Sequence, residues 1–304
     1  PAGTDALAAK LKLDARALDI VMTLMAAIGM VSKNGGAFAL TPQGREYLVQ
    51  GSKYYWGGIL AYERMRSVLP AIIAAKLKGE TPPPPPEAAA MGDAPVEAWE
   101  KAEIQEMIAR GVAAFMESQS VASAAGAARA LDLSGARRLL DVGGGSACFA
   151  IAFAEANPEL SCTVMELEQM CAIAGEYIGR AGVSDRVDAL TLDMFRADWP
   201  SDYDVIFLSN VFHDWADETN RELAAKAFAA LPSGGRIVLH EQLLNDDKTG
   251  PEATAAFSIL MLMGARGRQY SLPELRDVLE SAGFADVQAT HSYAYFSAVT
   301  ARKP

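Results

Sequence analysis

The chain has 304 residues, about half of them hydrophobic and a fifth charged, with a formal net charge of −11. That length exceeds what one ordinary core fills, so two domains are the expectation. An acidic surface repels nucleic acid and anionic membrane and favours a small-molecule or protein partner, and no apolar run approaches the ~18 residues of a membrane span.

The chain opens abruptly on PAGTDALAAKL. No charged-then-apolar leader precedes it, and a natural start upstream is the expectation. A short helix, a turn and a longer helix follow, with Asp14 as N-cap of the second and Gly29 near its end. Asn34-Gly35-Gly36 between short alternating segments predicts a hairpin. Helix, helix, hairpin is the outline of a winged helix. Its second helix carries Leu18, Val21, Met22, Leu24, Met25 and Ile28 over much of its circumference, and only Arg16 is basic. A DNA-reading helix needs Arg, Lys, Asn or Gln aimed at bases and phosphates, so packing or dimerisation is favoured over DNA binding. Pro82–Pro86 form a semi-rigid surface linker and close a first domain over 1–95. A helical connection over 96–135 then presents Trp99, Ile104, Met107, Ile108, Val112 and Phe115 on one side. From Arg137 strand-like and helical stretches alternate, which predicts an α/β domain over 136–304, its parallel sheet wrapped on both faces. Two last strands joined by a short link give it an antiparallel edge pair. The three cysteines, Cys148, Cys162 and Cys171, lack CxxC spacing and read as packing residues of a reducing, cytoplasmic compartment. No metal is expected.

The chemistry gathers where such a sheet binds its ligands, beyond the carboxyl ends of the strands. The run LLDVGGGSACFAIAFAEA ends a strand on Asp141 and opens a helix after three glycines. In a dinucleotide frame from Gly143 and Gly145 the third glycine position falls on Cys148, and the carboxylate of Asp141 is awkward beside a pyrophosphate. A nucleoside with a cationic tail, such as S-adenosylmethionine, fits better. Glu166 follows the second strand at the spacing of a ribose ligand, which suits either cofactor. Asp193 after the third strand can accept from an adenine amino group, with Met194 and Phe195 over the ring. His213 after the fourth strand is placed to take a proton, and Glu241, ending the neighbouring strand, to hold its imidazole. Asp214 supports the imidazole or caps the next helix; Trp215 stacks on adenine or belongs to the core.

LLDVGGGSA, VMEL, LDMF, NVFHDWADE, ALPSGGRIVLHEQLL and GRQYSLPELRDVLESAGF together resemble the S-adenosylmethionine-dependent O-methyltransferases of the plant caffeate and bacterial antibiotic type. The resemblance implies a winged-helix dimerisation domain followed by a Rossmann-like methyltransferase domain, a homodimer, and S-adenosylhomocysteine as product. It implies that Asp141, Gly143, Gly145, Glu166, Leu167, Asp193, Met194, Phe195, Ser209 and Trp215 bind the cofactor. His213 is then the base, supported by Glu241 and Gln269. Phe115, Met116, Met261 and Met263 are the candidates for a flat, aromatic or pigment-like acceptor. The sequence departs from the family at three places: Ala147 stands for the third loop glycine, Ser209 for a lysine of the plant members, and Gln269 for a second acidic support. Carbon or nitrogen methylation, a cofactor-binding enzyme that transfers no methyl, and, more remotely, a nicotinamide oxidoreductase or a winged-helix regulator are the alternatives.

Overall fold

The computed structural model describes residues 2–52, 54–57, 60, 69–81, 99, 101 and 106–304. The Pro82–Pro86 linker and Ile104 lie outside them. The strands are β1 (Ala2–Gly3), β2 (Val31–Asn34), β3 (Ala37–Leu40), β4 (Arg138–Val142), β5 (Ser161–Glu166), β6 (Val187–Thr191), β7 (Val205–Ser209), β8 (Arg236–Gln242), β9 (Ala285–Tyr293) and β10 (Phe296–Arg302). The helices are α1 (Thr4–Leu11), α2 (Ala15–Ala27), α3 (Pro42–Leu48), α4 (Leu69–Lys78), α5 (Glu106–Ala130), α6 (Cys148–Ala156), α7 (Glu168–Ala181), α8 (Asp217–Ala230), α9 (Glu252–Gly264) and α10 (Leu272–Ser281). None of the described helices is long and apolar enough to cross a membrane.

The chain divides into two compact units, Pro1–Ala90 with Leu244–Ser271, and Met91–Leu243 with Leu272–Pro304. In the first unit Asp14 caps α2, its carboxylate accepting from the Ala17 N–H at 2.8 Å. The Asn34-Gly35-Gly36 turn joins β2 to β3, and β1 completes a three-stranded sheet in the order β1-β3-β2. Ala17 and Ile20 of α2 pack on Leu262 of α9, with Val21, Leu77 and Ile259 around them. The Arg16 guanidinium donates to the Gly267 carbonyl. Thus α2 is a packing helix, and the base of its partner segment is pinned where the Leu244 N–H donates to Tyr270 O at 2.9 Å. The sequence reading ran 136–304 unbroken. Here 244–271 groups with the N-terminal residues, because the apolar face of α9 finds its complement on α2.

The second unit is a seven-stranded sheet in the order β6-β5-β4-β7-β8-β10-β9. The first five strands are parallel; β8, β10 and β9 pair antiparallel. Strand β7 (VIFLS) is buried throughout, as expected of a parallel strand covered on both faces. Phe149, Phe153, Leu160, Val164, Phe207 and Val238 belong to one core between the sheet and α6. The chain runs outward from β4 through β5 to β6, then returns to β7 on the other side of β4. The switch point therefore lies beyond the carboxyl ends of β4 and β7, where a crevice opens.

Helix α5 corrects one expectation. Of the expected large side chains Val112 is buried and Trp99 and Ile108 pack on a core, but Met107 is 74% and Phe115 61% exposed. The rest of the buried face is small: Ala109, Ala113, Ser120, Ser123, Ala124, Gly126 and Ala127. Small residues let the helix approach its neighbours closely. A Cβ at Gly126 would stand 2.8 Å from the Ser292 carbonyl oxygen of β9.

Candidate active site

The loop after β4 is built by its glycines. Gly143 and Gly145 have φ of 67° and 56°, left-handed values that glycine adopts without strain. Ala147, in the family's glycine position, keeps φ 69° with a buried methyl group. At Gly144 a Cβ would stand 2.6 Å from Asp141 Oδ2. The loop amides turn inward: Gly143 N–H donates to Met165 O at 2.9 Å, and Gly145 N–H to Glu166 Oε1 at 3.2 Å. Glu166 Oε2 accepts from Leu167 N–H at 2.9 Å, at the start of α7. Two N–H groups that a phosphate-binding loop would present are thus engaged internally.

Above the loop lies a recess, partly open to solvent, lined by Met116, Ser120, Asp141, Gly143, Ser146 and Ser209 among others. Asp141 is 1% exposed, and among the described residues neither carboxylate oxygen has a partner in good hydrogen-bond geometry, the Ala150 N–H giving only a small offset to its burial. Burial, reinforced by the charge of Glu166, pushes its carboxyl up to about 7. Burial also lifts Glu166 to about 7, against the two backbone N–H groups it accepts from. A buried carboxylate without a partner is costly until a cation faces it. S-adenosylmethionine carries a sulfonium and an ammonium and no phosphate, so the residues present fit it and disfavour a diphosphate.

The other sequence-predicted ligands follow neighbouring strands. After β6, Asp193 Oδ1 accepts from Phe195 N–H at 2.8 Å, and Oδ2 pairs with Arg196 at 3.3 Å. The Trp199 indole donates to Met194 O at 2.9 Å. Trp215 is buried, edge-on to Phe195 with centroids 4.7 Å apart. Cys148, at the mouth of α6, is a packing thiol that burial pushes up to about 12.

After β7 the chain makes a 3₁₀ turn over Phe212–Asp214. Glu241 holds this turn from β8: Oε1 accepts from Val211 N–H at 3.2 Å and Phe212 N–H at 3.0 Å. Its Oε2 meets His213 Nδ1 at 2.8 Å, while His213 Nε2 stands 3.6 Å from Asp214 Oδ1. Burial is the largest influence on the imidazole and opposes its charge. The carboxylates of Glu241 and Asp214 outweigh it and lift His213 to about 9. Against the carboxylate, Nδ1 is the donor, which leaves Nε2 as the proton-accepting atom. The sequence reading missed Asn220 of α8, whose buried amide donates to Phe212 O at 2.8 Å and Trp215 O at 3.3 Å. Nothing in the helical pattern around it separates it from a surface asparagine.

Of the remaining candidates, Met116 lines the recess, and Phe115, on the exposed side of α5, does not. Met261, Met263 and Gln269 belong to the first unit. There Met261 and Met263 are partly buried on α9. Gln269 is fully buried, its main-chain N–H donates to Ser258 Oγ at 3.1 Å, and its side-chain amide has no hydrogen-bond partner among the described residues.

Residues 86–285 match the O-methyltransferase domain model. The 3-hydroxy-5-methyl-1-naphthoate 3-O-methyltransferase of Streptomyces sahachiroi is 35% identical over 92% of this chain and 79% of its own. The L-tyrosine C(3)-methyltransferase of Streptomyces lavendulae is 33% identical over 51% of this chain, and the match spans only 43% of its length. An O-methyltransferase family 2 protein from Planctomyces limnophilus, solved in complex with apigenin, superimposes with TM-score 0.86 at 29% identity, covering 100% of this chain and 86% of that one. PigF with S-adenosylhomocysteine superimposes with TM-score 0.64 at 25% identity over 99% of this chain and 90% of its own. The chain belongs to the S-adenosylmethionine-dependent O-methyltransferases.

Proposed function

We propose that the enzyme methylates a hydroxyl of a flat aromatic small molecule, of the class to which hydroxynaphthoates and flavones belong, with His213 as general base. The observation that carries the reading is the buried His213–Glu241 pair, 2.8 Å apart, at the same sheet edge as the acceptor-lined recess. S-adenosylmethionine, when bound, supplies an electrophilic methyl group on a positively charged sulfur. Asp141, Gly143, Gly145, Glu166, Asp193, Met194 and Ser209 are the residues that would hold it. His213 Nε2 takes the proton of the acceptor hydroxyl, and Glu241 stabilises the imidazolium that results. With His213 lifted to about 9, the base acts through its neutral fraction, which grows as pH rises toward the ordinary phenol pKa of about 10. Positioned proton transfer contributes about 10²–10⁴-fold, and fixed alignment of the acceptor supplies much of the remainder.

The side chains of Val49, Tyr54, Tyr55, Trp56 and Leu60, exposed on the first unit, support the homodimer as a further part of this reading. Light scattering tests it, a monomer being the refuting result. The acceptor class is tested by incubating the enzyme with methyl-labelled S-adenosylmethionine and a panel of hydroxylated naphthoates and flavones. Methyl ethers are the expected products, and label found only on ring carbon or on no aromatic refutes the reading. His213→Ala should lose about 10²–10⁴ in kcat while binding S-adenosylhomocysteine as the wild type does.

A further inference from the structure

His240 is a buried titratable group that the chemistry above does not use. It neighbours Glu241 on β8, so its side chain points to the opposite face of the sheet. It is 0% exposed, stacked on Phe296 with centroids 5.0 Å apart and edge-on to Phe149 at 5.1 Å. Burial pushes its imidazole down to about 3, so the ring is neutral, with one N–H and one lone pair.

Which nitrogen holds the proton follows from the partners. Nε2 meets Ser292 Oγ at 2.9 Å, and Nδ1 meets Ser209 Oγ at 3.0 Å. Ser292 Oγ also donates to the Phe296 carbonyl at 3.1 Å, and a carbonyl only accepts. The single Ser292 proton is therefore engaged, and its bond to Nε2 needs the hydrogen on the ring. Nδ1 then carries the lone pair, and Ser209 donates its only proton to it. The chain crosses the sheet laterally, since Ser209 and His240 are register partners between β7 and β8.

Ser209 lines the recess. A serine hydroxyl ordinarily turns to donate or accept as its ligand requires. Here the imidazole behind it removes that choice, and only lone pairs face inward, one of them within 3.4 Å of Asn210 Nδ2. Ser146, also in the lining, is set the same way, its hydroxyl donating to Glu117 Oε2 at 2.7 Å. With the bare carboxylate of Asp141, three lining residues present acceptors. Such a wall takes an ammonium, which has three donors and no acceptor.

We propose that His240 and Ser292 are positioning residues that hold Ser209 as an obligate hydrogen-bond acceptor, and that Ser209 takes the ammonium of the cofactor's amino-acid end. The inference rests on the recess being the S-adenosylmethionine site. Two measurements on the full chain test it. Long-range ¹H–¹⁵N correlation on the wild type should show His240 protonated at Nε2 and bare at Nδ1; the opposite tautomer overturns the proposal. Calorimetry then compares S-adenosylhomocysteine with 5′-methylthioadenosine, which keeps the nucleoside and thioether but lacks the amino acid. Ser209→Ala should weaken S-adenosylhomocysteine about 10- to 100-fold and leave methylthioadenosine within about twofold. His240→Phe, which keeps the stack on Phe296, should act in the same direction and more weakly; if it fails to fold, the tautomer and Ser209→Ala decide. Equal losses for both ligands, or none, overturn the proposal while leaving the cofactor reading intact. A wild type that binds neither ligand overturns both.

Discussion

Substituting Asp141→Asn isolates the charge that the recess holds in reserve. In the ligand-free protein burial keeps the Asp141 carboxyl near 7, about three units above its ordinary value of 3.8. An ammonium-bearing ligand needs it ionised, so below pH 7 binding must first release a proton. Affinity for S-adenosylhomocysteine then falls, approaching tenfold per pH unit, by about 16-fold or 1.6 kcal/mol from pH 7 to pH 5.5. Glu166 is also lifted to about 7 and adds to the slope, the two carboxyls titrating as a pair. Asp141→Asn should lower affinity at pH 8 about 10- to 100-fold and remove about one proton from the linkage. The sign for stability is opposite. A carboxyl whose folded pKa is raised contributes stability below its unfolded value, and the contribution is lost as pH rises through 7. Three units set an upper bound of about 4 kcal/mol, so the ligand-free variant should gain on the wild type between pH 4 and pH 8. Titration calorimetry at several pH values, in buffers of different ionisation enthalpy, reads both affinity and protons released. A wild-type affinity flat from pH 5.5 to 8, or a variant that keeps the full slope, refutes the reasoning.

Three further substitutions probe the frame around the base. Glu241→Gln removes the charge that outweighs burial at His213, so the limb of kcat/KM that rises with pH through about 9 should move to lower pH while the maximal rate drops; an unmoved profile would show that His213 is not the titrating base. Gly144→Ala drives a methyl to 2.6 Å from Asp141 Oδ2 and 3.0 Å from Val164 Cγ1. It should cost about 1–3 kcal/mol, read as a lower Tm, and an unchanged melt contradicts the packing described. Asn220→Ala leaves the carbonyls of Phe212 and Trp215 without their amide donor at a cost of about 1–3 kcal/mol. Steady-state kinetics should show kcat falling with S-adenosylhomocysteine affinity retained; a loss of both equally argues against a role confined to the His213 turn.

The alternation from Arg137 onward and the helix–helix–hairpin start were legible because each rests on local chemistry: apolar period, an aspartate cap, an Asn-Gly-Gly turn. The face of α5 was not. Large apolar residues at helical spacing announce a buried stripe, yet beside Val112 this helix buries mainly alanines, serines and Gly126, and only the partner surface on α6, α7 and β9 says so. The excursion over 244–271 was likewise invisible, because apolar spacing in α9 states that a partner is needed and not which one. Ala147 shows the converse. Its departure from glycine reads as a change of loop, but the backbone keeps the left-handed turn at a cost of about 1–2 kcal/mol and buries the methyl group.

The candidate site divides along the same line. Asp141, Glu166, His213 and Glu241 could be named in advance because each ends or follows a strand, and strand ends of a parallel sheet converge on one edge. Their electrostatics could not, since these depend on what else is buried. Dehydration outweighs the backbone N–H groups near Asp141 and Glu166 and raises both, whereas the same dehydration is overridden at His213 by two carboxylates. One edge of the sheet therefore carries two charge environments: acceptors without a cation over the glycine loop, and a cation with its acceptors at the 3₁₀ turn. In the proposed reaction the acceptor hydroxyl gives its proton to His213 once the imidazole has lost its own, and Glu241 stabilises the imidazolium that results. That division needs Ser209 to remain an acceptor, and it is the lateral pairing of β7 with β8, setting His240 behind it, that keeps it one.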